Sequence, residues 1–363
     1  MATAAERRTA AILRFTAPRE RSEAPDAFLI TSLHNIRYLT GFTGSNASLL
    51  LGAEGSAQFF TDPRYTLQAA TQVDCDITIA KGPLVKSVLK SIGRNQFRRV
   101  AVEQDNMTVA NLEAIRKDLP SRSGIVPLSG VVEELRMVKD EAELTAIRKS
   151  VLLNSEALEA GLGQLKPGMT ETDLAAEIDY RSRRLGADGP AFDTIVASGE
   201  RAALPHAHPG NTLIGSGMLL IDMGAFLDGY ASDMTRMVHV GKPGKQFRKA
   251  YRAVLEAQLA AIDAVKSGVR TSKVDRAARS VLKSHGLEKE FTHSTGHGLG
   301  LEIHERPRIG RKDTTVLQAG MAITIEPGVY IEGWGGIRIE DTVVVTENGC
   351  EVLTPTTKDL RVI

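Results

Sequence analysis

Cysteine is nearly absent: Cys75 and Cys350 are the only two in a chain of 363 residues. That excludes a disulfide framework and a thiolate zinc knuckle, and it points to a reducing compartment. Long apolar runs are missing too, since none approaches the ~20 residues a membrane-spanning helix needs. The stretch from Met1 to Pro18 carries Arg7 and Arg8 but no continuous apolar segment after them. Its Ala10, Ala11, Ile12, Leu13 and Phe15 fit a short amphipathic helix rather than a signal peptide, so the cytoplasm is the expected location. Nor is there an excess of charge, with 45 basic residues against 44 acidic ones. That balance gives no electrostatic reason to expect nucleic acid or an anionic membrane as a partner.

What remains is the composition of an ordinary globular protein, long enough for two domains. In the first third, short apolar strands at 27–31, 47–51, 58–61 and 99–103 alternate with helical stretches at 63–71 and 109–119, which predicts an α/β domain over residues 1–130. A long helix is expected within 131–165, starting around Lys139. Residues 131–363 then hold an internal echo at an offset of one hundred: Lys166-Pro-Gly168 matches Lys266-Ser-Gly268, Arg148 and Ala157 match Arg248 and Ala257, and Gly186 matches Gly286. Each copy reads as a helix, a glycine turn, a second helix and then strands. The second helix is entered through Thr170 or Thr172 in one copy and through a Ser272/Asp275 capping box in the other. This predicts an α+β domain with pseudo-twofold halves and a site between them.

The acidic residues of that domain stand where apolar ones are expected. In LLIDMGAFLDGYASDMTRMVHV, two strand-like runs flank a turn with Gly224, Asp228 and Gly229, read as a hairpin looser than the tightest types. Asp222 and Asp233 sit on facing strands. A carboxylate aimed at a core is costly unless it is paired or holds a metal, although either one alone would suit a turn or the surface. FTHSTGHGLGLEIH gathers His293, His297 and His304 among glycines that let the backbone approach a bound group. Alternation in 321–326 puts Glu326 on a face with Ala322 and Thr324. In 336–345, read as one strand, it puts Arg338 and Glu340 on a shared face and turns Asp341 towards an edge or the surface. Arg338 paired with Glu340 is the plain structural alternative. Four carboxylates and an imidazole without thiolates suit two hard or borderline divalent ions, with Mn²⁺ first and Co²⁺ or Zn²⁺ as alternatives.

The segments IDMGA, SDMTR, STGHGLGLEIHE, TIEPGVYI and GIRIEDTV resemble those of the M24 peptidases with the "pita-bread" fold. Within that group the chain is most similar to the Xaa-Pro peptidases, aminopeptidase P and prolidase. NIRYLTGFTGSNASLL, TDPRY and RMVKDEAELTAIRKS extend the likeness over nearly the whole chain. The resemblance implies that Asp222 holds one metal ion, that His297 and Glu326 hold the other, and that Asp233 and Glu340 bridge the two. Glu326 would also be the general base. His206 and His304 would contact the scissile carbonyl or stabilise its oxygen, and His293 and Arg338 would line the proline side. His208 has no counterpart and reads as loop.

The implied activity is hydrolysis of the bond before proline in a peptide substrate. GFTGS and TDPRY incline the choice to an Xaa-Pro aminopeptidase, with a dipeptidase (prolidase) as the alternative. A catalytically inactive, peptidase-fold binding protein is the alternative of a different class, and the intact ligand set disfavours it. Methionine aminopeptidase is disfavoured by the N-terminal domain, and creatinase by the intact ligands. A homodimer is expected from the resemblance and from the apolar stretch 36–44.

Overall fold

The computed structural model describes residues 2–17 and 24–363. The chain divides into two compact units, Met1–Arg136 and Met137–Ile363. Among the described residues no helix is long and apolar enough to cross a membrane.

The first unit opens with α1 (Ala4–Thr16), started by a Thr3/Glu6 capping box and burying Arg8, Ala11 and Phe15. The ends of the stretch read as an amphipathic helix, Met1 and Pro18, lie outside the described residues. Strands β1 (Ala27–Ile30), β2 (Ala47–Gly52), β3 (Ala57–Thr61), β4 (Asp76–Ile79), β5 (Arg99–Glu103) and β6 (Gly124–Leu128) form one mixed sheet in the order β4-β3-β2-β1-β5-β6. Helices α2 (Leu33–Thr40), α3 (Thr66–Gln72), α4 (Leu84–Asn95) and α5 (Val109–Asp118) accompany it, and a single turn, α6 (Glu133–Arg136), closes the unit. The apolar stretch 36–44 belongs to this unit's own core: Ile36 and Leu39 are fully buried and Phe42 almost so. It is therefore not a surface that asks for a partner.

The second unit does not begin with an unbroken helix. Residues 137–139 are extended, pinned by the Val138↔Met321 bridge and by Lys139 N–H donating to Gly320 O. Asp140 then caps α7 (Glu141–Leu162) in a capping box with Glu143. Next come α8 (Glu171–Leu185), β7 (Gly189–Pro190), β8 (Ile195–Ser198), β9 (Gly217–Met223), β10 (Ala225–Leu227), β11 (Tyr230–Ala231) and β12 (Met234–Val240). The second half holds α9 (Lys245–Asp263), α10 (Thr271–Ser284), β13 (Gly296–Gly298), β14 (Glu305–Ile309), β15 (Ala322–Ile325), β16 (Gly328–Ile331), β17 (Gly335–Arg338), β18 (Asp341–Val345), β19 (Cys350–Val352) and β20 (Arg361–Val362). Two sheets, β20-β12-β9-β8 and β14-β13-β15-β18-β19, carry the site.

The hundred-residue echo is visible in three dimensions. Helix pair α7/α8 packs on β8, β9 and β12 through Leu158, Leu174, Ile178 and Leu219, and α9/α10 packs on the other sheet through Val254, Val274, Ile323 and Val343. Each pair is joined by a turn whose glycine has positive φ, 90° at Gly168 and 82° at Gly268. Each turn ends in one isolated bridge, Thr170↔Leu213 and Arg270↔Val316. The caps differ, however. Thr170 forms a capping box with Asp173, whereas Ser272 caps nothing; its intended partner Asp275 instead receives Arg279 Nε at 2.8 Å and Thr295 Oγ1 at 2.9 Å.

Two other expectations change. The hairpin between Asp222 and Asp233 is tight after all: Leu227 pairs with Tyr230 around Asp228-Gly229, both at positive φ, the backbone twist that suits a right-handed ribbon. Residues 336–345 are not one strand. Gly335–Arg338 pairs with β16, Asp341–Val345 pairs with β15, and the chain changes sheets across Ile339 and Glu340.

Candidate metal centre

Asp222 and Thr235 are cross-strand partners in the β9–β12 ladder, so both side chains stand on one face. Asp233, two residues before Thr235 and just ahead of β12, follows the same alternation. On the other sheet the β15–β18 ladder ends at the pair Ile325↔Asp341. Glu326 and Glu340 are the next residue on each side, so both leave the ladder at the same end. His297 occupies the middle of β13. The glycines beside it have a steric cause: a Cβ on Gly296 would meet Thr324 O at 1.9 Å, and one on Gly298 would meet Arg306 O at 2.2 Å. Only bare backbone lets β13 lie that close to its neighbours.

The five side chains read from the sequence as ligands meet in one cleft of about 610 Å³. One oxygen or nitrogen of Asp233, His297 and Glu340 lies within 4.8 Å of the other two. His297 Nδ1 donates to Gly298 O at 3.0 Å, because a carbonyl can only accept. Its Nε2 faces Asp233 Oδ2 at 3.4 Å and Glu326 Oε1 at 3.5 Å. A neutral ring with its proton on Nδ1 would turn a lone pair towards those oxygens, the arrangement in which a cation fits between them. Asp222 Oδ1 and Glu340 Oε1 are buried without a hydrogen-bond partner among the described residues.

The electrostatics agree. Burial, then the charges of Asp222 and Glu326, pushes Asp233 well above the usual carboxylate range. Burial, then Asp233 and Glu326, does the same to Glu340. Glu326 is raised by burial against the opposing pull of His297 and Arg338. Besides Glu305, four acids share the cleft, and the Arg338 guanidinium is hydrogen-bonded to one of them, Asp222. This oxygen-rich, thiolate-free set with one imidazole nitrogen fits divalent ions.

Arg338 does not pair with Glu340. Its Nη2 contacts Asp222 Oδ2 at 2.5 Å, its Nε donates to Thr235 Oγ1 at 3.0 Å, and its Nη1 donates to Tyr330 Oη at 2.6 Å. Thr235 Oγ1 in turn donates to Glu340 Oε2 at 2.8 Å. Tyr330 Oη donates to His293 Nε2 at 2.9 Å, and His293 Nδ1 donates to Ser294 O at 2.8 Å. Burial, reinforced by the Arg338 charge, pushes His293 down to about 4, consistent with the neutral ring this chain of donors requires. His304 stacks edge-on to His297 with ring centroids 4.4 Å apart, and its pKa is lowered by burial and by His297. His206 lines the same cleft from the loop after β8. His208 does not line it, and its carbonyl accepts from Arg201 Nη2 at 2.6 Å.

Asp341 overturns its reading as an edge residue. It is fully buried and accepts from Arg236 Nη2 at 2.7 Å, Lys358 Nζ at 2.6 Å and Gln258 Nε2 at 2.9 Å. Sequence reasoning also passed over Thr235, Tyr330 and Arg308. Thr235 was findable from its place opposite Asp222 in the hairpin. Arg308 is the ladder partner of His297, lines the cleft, and has no hydrogen bond or ion pair among the described residues.

A family model described as metallopeptidase family M24 matches residues 145–347, and one described as creatinase/prolidase N-terminal domain matches residues 20–138. An Xaa-Pro dipeptidase of Pyrococcus horikoshii is 34% identical over 337 residues, covering 92% of this chain and 94% of its own. The solved structure of an Xaa-Pro dipeptidase from Bacillus anthracis superposes with a TM-score of 0.95 at 36% identity, covering 99% of this chain and 100% of that one. An X-Pro aminopeptidase from Thermotoga maritima gives 0.87 at 36% identity, covering 93% and 98%.

Proposed function

The chain belongs to metallopeptidase family M24, and on that premise we propose that it hydrolyses the bond before proline in Xaa-Pro dipeptides. The observation that carries this reading is the cleft's pair of unmet acceptors, Asp222 Oδ1 and Glu340 Oε1, beside His297 Nε2, in a chain of which dipeptidase relatives cover 92% and 99%. The dipeptidase alternative is favoured by the dipeptidase relatives, while an X-Pro aminopeptidase of equal identity keeps the first inclination open. GFTGS and TDPRY are occupied with one another inside the first unit: Ser45 Oγ bonds Tyr65 Oη at 2.6 Å, and Asp62 receives Asn46 Nδ2 at 2.6 Å and Arg64 Nε at 2.9 Å.

Asp222, Asp233, His297, Glu326 and Glu340 would hold two divalent ions, Mn²⁺ before Co²⁺ or Zn²⁺. Four carboxylates and an imidazole supply enough donors to share between two ions, with carboxylates able to bridge them. When bound, such ions polarise a carbonyl and acidify water. Glu326 accepts the proton of the attacking water and returns it to the leaving proline nitrogen. His206 and His304 reach the carbonyl oxygen from the cleft wall and support its developing charge. Neutral His293, held by Tyr330, shapes the proline side. Every nitrogen of Arg338 is engaged by protein, so it acts by holding Asp222 and Thr235. Arg308 is the cation left for the dipeptide's carboxylate.

The homodimer now rests on the resemblance alone; sedimentation at micromolar concentration tests it. For the activity, the test is turnover of Xaa-Pro, Xaa-Pro-Yaa and Xaa-Ala peptides by metal-stripped protein given Mn²⁺, Co²⁺ and Zn²⁺ in turn. Cleavage of Xaa-Pro but not Xaa-Ala is expected. Failure of every metal form on both proline peptides overturns the reading and leaves a binding protein.

A further inference from the structure

The metal cleft does not end at Arg308. A second cavity of about 450 Å³ shares His293, Ser294 and Arg308 with it and is lined further on by Arg311, Lys312 and Asp313. Arg311 and Lys312 are the central residues of a turn that follows β14. That turn is pinned from three sides: Asp313 N–H donates to Gly310 O at 3.2 Å, Thr271 Oγ1 donates to Asp313 Oδ1 at 3.0 Å, and Thr315 N–H donates to the same oxygen at 2.8 Å. Two cations are thus presented on a fixed support, next to the ladder partner of His297.

Charge accounting marks them out. The chain as a whole is almost neutral, and the nearby basic side chain Arg279 is taken up by Asp275 and by the carbonyls of Phe291 and His293. Neither Arg311 nor Lys312 has an ion pair or hydrogen bond from its side chain among the described residues. The one carboxylate in their cavity, Asp313, is spent on holding the turn. A third cavity adjoins at Arg279 and Arg311 and adds Arg276 and Lys283 against two acids, Glu288 and Asp275, the latter paired with Arg279. The cleft is therefore polarised along its length, acidic at the metal ligands and basic beyond Arg308. A peptide lying in it with its scissile bond at Glu326 is oriented with its carboxylates towards the basic end.

We propose that the Arg311–Lys312 turn is a recognition element for acidic residues that follow the proline, so that peptides of the Xaa-Pro-Glu or Xaa-Pro-Asp kind are taken as well as dipeptides. This rests on the Xaa-Pro reading above. Arg308 serves the carboxylate of a dipeptide, and the turn serves the carboxylates one residue further out. Both cations are exposed, so each pair is a modest, salt-screened interaction.

The test compares Ala-Pro, Ala-Pro-Gln and Ala-Pro-Glu on the metal-loaded full chain and on its Arg311→Gln/Lys312→Gln double variant, at low and high salt. The wild type should show a KM for Ala-Pro-Glu about 3–10-fold below that for Ala-Pro-Gln at low salt, the range two exposed pairs supply. That gap should close in the double variant and at high salt, with Ala-Pro kinetics unchanged. Equal KM values in the wild type, or a gap that survives the double substitution, overturn the proposal. Should the wild type cleave none of the three, the Xaa-Pro reading itself fails. Calorimetric binding of Pro-Glu against Pro-Gln to both proteins still decides the turn's role, because a preference for Pro-Glu lost in the variant upholds it and no preference refutes it.

Discussion

Glu340 and Asp341 are neighbours in the chain and almost equally buried, yet their surroundings treat them in opposite ways. Behind the sheet, both oxygens of Asp341 are served, by Arg236 on one side and by Lys358 and Gln258 on the other. Arg236 extends that network to the carbonyls of Glu340 and Thr356. In front, Thr235 serves one oxygen of Glu340, the second has no donor, and the nearest charges are further carboxylates. Glu103 in the first unit resembles Asp341: Thr31 and Ser32 N–H donate to one of its oxygens and Asn35 Nδ2 to the other. Burial therefore does not separate a structural acid from a functional one. Between these neighbours the unmet acceptor of Glu340 does, since a buried oxygen without a donor costs free energy unless something outside the chain completes it.

The comparison breaks first on metal. Stripping divalent ions should abolish peptide hydrolysis, and returning them should restore it. Turnover that persists in protein shown by elemental analysis to be metal-free would mean that the front cluster is complete without cations. Next in size, Glu326→Gln should lower kcat by about 10²–10⁴-fold, the range for losing a positioned acid–base group. A kcat near that of the wild type in steady-state assays would place proton transfer on another residue.

A third experiment sets the two neighbours directly against each other in metal-free protein. Asp341→Asn leaves buried Arg236 and half-buried Lys358 without their anion and should cost about 3–5 kcal/mol of stability in denaturant titrations. Glu340→Gln removes one of several crowded like charges and should leave metal-free stability unchanged or higher. Equal losses from both would erase the distinction drawn here.

The smallest effect belongs to Glu103. Burial raises its pKa above the usual 4.5 despite its hydrogen bonds. The folded chain therefore keeps this proton over an interval in which the unfolded chain has released it. The contribution is fully present below about 4.5 and is lost as pH rises through the elevated folded value. Glu103→Gln cannot titrate, so its stability should fall less steeply above that point. Parallel stability–pH curves for the two proteins would show that the carboxyl is not shifted.

The ligand set was legible because its residue types are improbable where they stand. Carboxylates in apolar strands and histidines between glycines stand out against the local pattern. The hairpin reading set Asp222 and Asp233 on facing strands, and alternation set Glu326 on the face of Ala322 and Thr324. It failed at 336–345 because period-two reasoning assumes one continuous strand, and nothing local announces that the chain leaves β16 for β15 within two residues. For the same reason Asp341 looked peripheral: its partners Arg236, Gln258 and Lys358 come from three distant segments. Arg338's partner Asp222 could not be named from the sequence, since the two are close only once the two sheets face each other. The start of α7 was legible to within two residues, around Lys139, although its Asp140 capping box was not read. The Ser272 cap was not, because tertiary contacts claimed Asp275.

The sheet change at Glu340 also sets an order in time. The centre draws on β9, the approach to β12, β13, the end of β15 and finally this crossing, so a chain still emerging from the ribosome can complete every earlier element and yet own no hydrolytic centre. Arg236, which donates to Glu340 O and Asp341 Oδ1, also shares its guanidinium with the carbonyls of Thr356 and Thr357. Chains released before Glu340 should bind divalent ions far more weakly than the finished protein.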